Sequence, residues 1–340
     1  MRRATLPPSD ENSALRFQLT SIYSCLATGL LFSFIGCDRV AKPVAPPTAD
    51  VSVASEPARI TAEAPAPVST ETPAAVPTDS ASVAPHVGEK IRILAWNIES
   101  DGANADVIAD QLDAMPRYDV YGFSEVRPLD FAVIKDRLGD EYTCRYSKSG
   151  YDDRLAYAIR SDRFEIVEQY EIKNFEDHVL NPGNYRSPYI TVVKDLKSGQ
   201  TLTLMLNHLA RGKAEVRAMQ AAGLRAWAAA QGDEPIVAIG DYNFDYVFAT
   251  DKGNESFDEF LRDDTFVWLR PEPMIDSNWF DGDGDGNDDY PGSLLDFAFV
   301  AGTAKEWKAE CRVLVRDQDF PDDKTTSDHR PIELTIWPSW

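Results

Sequence analysis

A chain of 340 residues, 43% hydrophobic and 26% charged, is long enough for one large layered domain or two average ones. That composition excludes a polytopic membrane protein and a wholly disordered chain. Lysine and arginine number 34 against 56 aspartates and glutamates, a formal charge of -22, so the surface repels nucleic acid and anionic membranes unless basic residues are gathered locally.

In chain order, Arg2, Arg3 and Arg16 precede "LTSIYSCLATGLLFSFIGC", whose apolar core from Leu19 to Ile35 is short for a permanent span. Residues 1–37 read as an export signal. The ending "FIGC" resembles the bacterial lipoprotein signal, although Phe34 is bulkier than the residue usual there. In that signal, cleavage leaves a lipid-modified cysteine, here Cys37, at the new N-terminus. The expectation is an exported, membrane-anchored lipoprotein, periplasmic or at the cell surface; the alternatives are an uncleaved signal anchor or a secretory signal with a chance cysteine. Residues 38–86, dominated by Ala, Pro, Thr, Val and Ser, have no apolar period and cannot bury enough surface to offset ordering entropy. They read as a disordered tether.

The folded domain is expected over residues 87–340, and nearly all of the acidic excess lies in it. Short apolar runs recur: "IRILAWNI", "YDVYGFSEV", "EYTCRYS", "LAYAIRS", "FEIVEQYEI", "SPYITVVKDL", "TLTLMLNHL", "PIVAIGDYN", "FVWLRP", "LLDFAFVAG", "ECRVLVRD" and "IELTIW". They read as strands. Between them "ADVIADQLDAM" and "AEVRAMQAAGLRAWAAAQ" read as helices, the second with Val216, Met219, Gly223 and Trp227 along one face. "DLKSGQTL" reads as a hairpin turn bending at Gly199. Many strands and few helices, arranged strand–helix–strand in each half, imply two packed sheets with helices outside. Cys144 and Cys311 are the cysteines of the domain, and in an exported protein they could form one disulfide or remain free thiols.

Polar residues collect at the ends of these strands. "ILAWNIES" delivers Asn97 and Glu99, "VYGFSEVR" Glu125 and Arg127, "LTLMLNHLARG" Asn207 and His208, and "PIVAIGDYNFD" Asp241 and Asn243. "GSLLDFAFV" carries Asp296 inside an apolar run, and "TTSDHRPIE" sets Asp328 and His329 before the last strand. Carboxylates at the ends of buried strands imply a shared cation or hydrogen-bond network. Oxygen ligands with amide help suit Mg²⁺. Taken singly, each residue has a plainer role, as a core histidine, a turn amide or a strand-edge acid.

The ordered set "WNIE", "SEV", "NHL", "GDYN", "LLDFAFV" and "SDHRP" resembles the endonuclease/exonuclease/phosphatase superfamily of metal-dependent phosphoesterases across Ile91 to Trp340. The resemblance implies an α/β fold: a four-layer α/β sandwich of two packed, mostly antiparallel sheets flanked by helices. It implies Mg²⁺, with Mn²⁺ as a substitute, held by Glu125 with Asn97 and Asp328. It further implies that Asp241 and Asn243 orient the attacking water and the phosphate, that Asp296 holds His329 for proton transfer, and that His208 is the second histidine. A divalent ion and imidazolium stabilise the negative charge that phosphoester hydrolysis develops.

Within that superfamily "GYDDRLAYAIRSDRFEIVEQYE" and "NYRSPYITV" resemble the pancreatic-type deoxyribonuclease branch. That likeness implies substrate contacts from Tyr151, Arg127 and Arg186, and orientation of His208 by Asp153, which stands where the branch has a longer glutamate. A nuclease with nucleic acid as substrate is the first expectation, and a phosphoesterase acting on a small-molecule or lipid phosphoester the alternative; no protein partner is evident. Finally, "DGDGDGNDD" places Asp281, Asp283 and Asp285 at the first, third and fifth positions of an EF-hand-type loop, with Asp289 further along, but with Gly292 where the bidentate acid belongs. It is either a structural Ca²⁺ loop or a solvated acidic turn.

Overall fold

The computed structural model describes residues 88–183, 185–320 and 325–340. The expected export signal with Cys37 and the expected tether lie outside the described residues. In chain order the strands are β1 (Ile91–Asn97), β2 (Val120–Val126), β3 (Tyr142–Tyr146), β4 (Arg154–Arg160), β5 (Phe164–Glu171), β6 (Asn174–Phe175), β7 (His178–Val179), β8 (Tyr189–Asp195), β9 (Thr201–His208), β10 (Ile236–Val247), β11 (Phe266–Trp268), β12 (Ser293–Ala301), β13 (Lys308–Val313) and β14 (Ile332–Trp337). The α-helices are α1 (Ala105–Ala114), α2 (Pro128–Leu138), α3 (Ala214–Ala230) and α4 (Glu255–Leu261).

Two six-stranded sheets run β13-β14-β1-β2-β4-β3 and β11-β12-β10-β9-β8-β5, and β6 and β7 form a separate ribbon. Each large sheet holds one parallel pair, β1 with β2 and β9 with β10, among antiparallel neighbours. A parallel pair needs a crossover, supplied by α1 in one half and α3 in the other. This is the α/β sandwich that the strand pattern implied.

Alternation sorts the side chains of β1. Ile91, Ile93 and Ala95 join Val120, Tyr157, Leu204, Leu206 and Ile239 in the larger core, while Leu94 and Trp96 join Ile108 of α1 and Phe131 and Ile134 of α2 in a second one. The long aromatic residues Tyr242, Phe244, Phe260, Phe297 and Phe299 fill the region under α4, Phe260 lying edge-on to Tyr242 with ring centroids 5.2 Å apart. Gly240, between Ile239 and Asp241, is the point of closest backbone approach: its φ is 128°, and a Cβ there would lie 2.1 Å from the Asn207 carbonyl oxygen.

One expectation changes, and one left open is resolved. The buried face of α3 carries Arg217, Gln220, Gly223, Leu224 and Trp227, so Val216 and Met219 are only partly covered. The polar members are buried because they bond loop backbone: Arg217 Nη1 donates to the Ala210 and Arg211 carbonyls, and Gln220 bonds Ala210 N–H and the Leu180 carbonyl. Cys144 and Cys311 are free and sit on β3 and β13, the opposite edges of one sheet. With strands about 4.8 Å apart, that separation far exceeds the reach of a disulfide. Burial pushes the Cys144 thiol up to about 11 and the Cys311 thiol to about 12. Among the described residues, no helix is long and apolar enough to cross a membrane.

Candidate active site

Strand register builds the site. Asp241 is paired with His208 across β9 and β10 and with Asp296 across β10 and β12, so three functional side chains share one row of the second sheet. From the facing sheet, Asn97 ends β1 opposite Ser124 of β2. The β2–β4 ladder then slips between Phe123 and Val126, and Glu125 takes a left-handed φ of 54°. The β10–β12 ladder likewise slips beyond Asp241, with Asn243 at φ 53° and Asp245 at φ 46°. Bulges of this kind re-aim side chains at the rim of a sheet, and the strained residues mark the chemistry.

Asp241 is the hub. Its Oδ2 accepts from Asn97 Nδ2 at 3.1 Å, lies 3.4 Å from His208 Nε2 and lies 3.9 Å from His329 Nε2. Asn97 Nδ2 also donates to Glu125 Oε1 at 2.9 Å, and that oxygen is 3.6 Å from His208 Nε2. Glu125, His208 and Asp241 thus offer ligand atoms within 4.8 Å of one another, as do Asp241, Asp296 and His329. The two triads share Asp241, so Glu125 and His329 open on one site.

His329 is held through Nδ1 and its backbone. Its Nδ1 meets Asp296 Oδ2 at 2.7 Å, its N–H donates to Ser327 Oγ, and its carbonyl accepts from Trp96 Nε1. Asp296 Oδ2 also accepts from Ser277 Oγ at 2.8 Å, and Ser277 is brought alongside by the Asn278–His329 bridge. Burial raises the Asp296 carboxyl to about 6 against the pull of the imidazole. Burial alone would lower His329, but Asp296, Asp328 and Asp241 outweigh it and hold the ring well above its ordinary value, as an imidazolium at neutral pH. Asp328, beside it, is held by its backbone N–H donating to Glu99 Oε2 at 2.8 Å. Burial and then Asp328 raise the Glu99 carboxyl to about 7.

A cleft of about 520 Å³ opens from Glu125 and His208, walled by Arg127, Tyr151, Asp153, Arg186 and Arg211. The larger cavity among the described residues, about 720 Å³ at the β13 edge, touches none of the residues above. Asp153 does reach His208 despite its shorter side chain: Oδ1 lies 3.3 Å from Nδ1. Its burial raises the carboxyl, and His208 and then Arg186 more than offset that, leaving it below the ordinary carboxylate range. Arg186 is one-tenth exposed, pairs with Asp153 at 2.7 Å and donates to the Leu209 carbonyl; it braces Asp153 from behind instead of lying open along a groove. Arg127 pairs with Asp101. Tyr151 is two-thirds exposed at φ 52°, on a turn that requires Gly150, where a Cβ would meet the Asp153 carbonyl oxygen at 2.1 Å.

The donor set fits a hard divalent ion. Two carboxylates converge on one amide and one ring nitrogen, a concentration of negative charge and oxygen donors that a cation relieves. For Asn97 to ligate through Oδ1 its amide has to turn over, because Oδ1 now accepts from Glu99 N–H. Asp328 bonds Glu99 through its backbone and lies 3.9 Å from His329, and His208 lies beside Glu125. Sequence reading passed over Ser277, Ser327 and Arg211, and left Glu99 without a role. Arg211 follows directly on "NHLA", and Ser327 opens "SDHRP", so their motifs were visible while their contacts were not. In the acidic loop Asp281, Asp283 and Asp285 offer oxygens within 4.8 Å of one another, and Asp289 Oδ2 accepts from Gly282 N–H.

Comparison with known proteins agrees with this geometry. Residues 94–329 match the model of the Endonuclease/Exonuclease/phosphatase family. No curated protein matches the chain. Among solved structures, an endonuclease/exonuclease/phosphatase family protein from Bacteroides thetaiotaomicron superposes with TM-score 0.57 at 18% identity, over 74% of this chain and 98% of that one. A mannosyl-6-phosphatase from the same organism gives 0.54 at 18%, over 72% and 99%. D. rerio TDP2, complexed with a single-strand DNA product, gives 0.55 at 19%, over 73% and 99%. At these identities the likeness is one of fold.

Proposed function

The chain belongs to the endonuclease/exonuclease/phosphatase family, and from that premise we propose that it hydrolyses phosphoesters of small, polar molecules with the help of a divalent ion, Mg²⁺ or Mn²⁺. The observation that carries the choice of substrate is the state of the cleft arginines. Arg127 pairs with Asp101, Arg186 with Asp153 and Arg211 with Asp245, so each cation at the cleft is matched by an acid of the chain. Among the described residues such a wall offers a polyanion little net positive charge, and the chain's charge of -22 compounds this. Among the described residues, no aliphatic side chain lines the cleft to receive an acyl tail. A nuclease of the pancreatic type, favoured by the sequence motifs, is less well served by arginines that are already paired. The structural neighbours include both a sugar phosphatase and a protein bound to DNA and do not choose between them.

In this reading Glu125 and Asp241 hold the ion, with Asn97 turned to join them, and the ion when bound offsets charge on the phosphoryl oxygens. Asp241 and Asn243 orient the attacking water. His329, kept charged by Asp296, faces the phosphoryl group and gives a proton to the leaving oxygen. His208, oriented by Asp153, stabilises the opposite side. The test is a panel of sugar, nucleoside and aryl phosphomonoesters and diesters, run beside plasmid and single-stranded DNA and RNA with Mg²⁺, Mn²⁺ or EDTA. Metal-dependent turnover of small esters with polynucleotides untouched is expected; cleavage of polynucleotides alone would reinstate the nuclease.

Two further parts of the reading concern the rest of the chain. The protein is exported and lipid-anchored at Cys37; Cys37→Ser should move it from the membrane fraction to the soluble fraction, and an unchanged distribution would rule the anchor out. The loop at Asp281–Asp289 binds Ca²⁺ as a brace for the strand that carries Asp296.

A further inference from the structure

We propose that Arg211 is the substrate-phosphate clamp of this site and the residue that fixes the Asn243 amide; the inference rests on the phosphoesterase reading. Arg211 lies on the loop after His208, about half exposed at the cleft wall. Its Nη1 donates to Asn243 Oδ1 at 3.2 Å and to Asp245 Oδ1 at 2.7 Å. The Asn243 amide is held at its other end, Nδ2 donating to the Leu209 carbonyl at 3.1 Å, and the Asn243 N–H donates to Asp241 Oδ1 at 3.0 Å. Arg211 and the Leu209 carbonyl together fix which end of that amide carries the oxygen, while the Asn243 backbone ties it to the hub carboxylate.

The support behind Arg211 comes from Arg217 and Asp245, which also pair with each other at 3.7 Å. Arg217, buried on α3, donates to the carbonyls of Ala210 and Arg211 at 2.8 Å each and so fixes the backbone that carries the guanidinium. Asp245 holds the head of the side chain, and is held in turn by Asn254 Nδ2 at 2.9 Å, which also bonds the Asn243 carbonyl. The left-handed residues Asn243 and Asp245 are thus over-determined, the condition under which backbone strain persists. Both of these bonds come from Nη1. Nη2 and Nε have no partner among the described residues, so the planar fork can take a phosphoryl oxygen without giving up Asn243. The pair with Asp245 lowers the net charge of the clamp, which suits one phosphate and a product that has to leave.

The same geometry separates Arg211 from the other cleft arginines. Arg186 is nearly buried against Asp153 and the Leu209 carbonyl. Arg127 stands across the cleft with Asp101 and bonds no residue of the Asp241 row. Arg211 alone among them touches a side chain next to the hub.

The test uses the full folded protein with Mg²⁺, Arg211→Ala and Arg211→Lys. It reads KM and kcat on whichever small phosphoester the wild type turns over, and inorganic phosphate affinity by calorimetry. Loss of a charge-assisted hydrogen bond predicts that R211A raises KM and the phosphate Kd each by about 10- to 100-fold, and release of the Asn243 amide that it lowers kcat. R211K, which keeps the charge without the fork, should recover part of the phosphate affinity but little of kcat, because it does not hold the Asn243 amide. Guanidinium ion added to R211A should restore turnover, which a merely structural role would not allow. Phosphate affinity and KM within twofold of wild type in R211A, at unchanged melting temperature, would overturn the assignment. A wild type that binds phosphate through Arg211 yet hydrolyses no small ester would instead sink the proposed function and leave the clamp standing.

Discussion

Replacing Asp296 with Asn keeps the shape of the site and removes one buried charge. Asp296 Oδ2 accepts from His329 Nδ1 at 2.7 Å and from Ser277 Oγ at 2.8 Å, and an Asn Oδ1 can accept from both. The charge-assisted component of the bond to His329 is lost, about 1.5–3 kcal/mol by the usual range for ionised partners. At about 1.4 kcal/mol per decade that is roughly 10- to 100-fold in kcat/KM, and the weaker tendency of His329 to carry its proton deepens the loss at neutral pH. Stability moves little, because Asp296 is a carboxylate that burial already disfavours, so the relief from desolvation offsets the lost bond to within about 1 kcal/mol. For a domain of this size that is about 2–4 °C in Tm. Asp296→Ala, by contrast, strands Ser277 Oγ and His329 Nδ1 in a buried site and should cost about 2–6 kcal/mol. The assay pairs steady-state kinetics with thermal melts of wild type, D296N and D296A. An Asn variant within threefold of wild-type activity would refute the role given to the Asp296–His329 pair, and so would activity lost only in step with stability.

The remaining predictions bear on the ion, the backbone and the surface. Glu125→Gln should weaken Mn²⁺ binding, read by electron paramagnetic resonance, by at least about tenfold; unchanged affinity would place the ion elsewhere. Gly240→Ala drives a Cβ into the Asn207 carbonyl and should cost about 3 kcal/mol or more, lowering Tm by about 6–12 °C; an unshifted melt would contradict the close approach of β9 and β10. Since thiolate is the reactive form and both thiols are raised, Cys144 and Cys311 in the folded domain should resist a thiol reagent at pH 8, gain reactivity only as pH climbs toward 11–12, and both react on unfolding without reductant. Recovery of fewer than those two free thiols would point to oxidation. Millimolar Ca²⁺ should raise Tm, and Asp281→Asn should abolish the rise; a flat response would reduce the loop to an acidic turn.

Much of the architecture was legible in the sequence. Each quoted apolar run falls on a strand, and Gly199 bends the β8–β9 turn at φ 75°. Strands are marked by local alternation, which needs no knowledge of neighbours. The helices α2 and α4 were passed over although Pro128 opens one and Asn254 caps the other, because short amphipathic segments between strands look like loops when read singly. The face of α3 was misplaced by a residue because Arg217 and Gln220 are buried to satisfy loop carbonyls, a demand that hydrophobicity does not record. In the site, motif order marked Asn97, Glu125, His208, Asp241, Asn243, Asp296 and His329. Their meeting at Asp241 depends on strand register and two bulges, which are tertiary facts. Ion pairing of the cleft arginines is of the same kind: a sequence shows an arginine, and only the fold shows the acid beside it.

The account stands on one convergence, of Glu125, Asp241 and His329 around an ion and a phosphoryl group. The most direct measurement is a crystal structure of the domain with Mn²⁺ and inorganic phosphate, with the ion located by anomalous scattering. The account predicts the manganese peak against Glu125 and Asp241, with phosphate between it and His329 and within reach of Arg211. A peak confined to the Asp281–Asp289 loop, or phosphate bound away from His329, would contradict it.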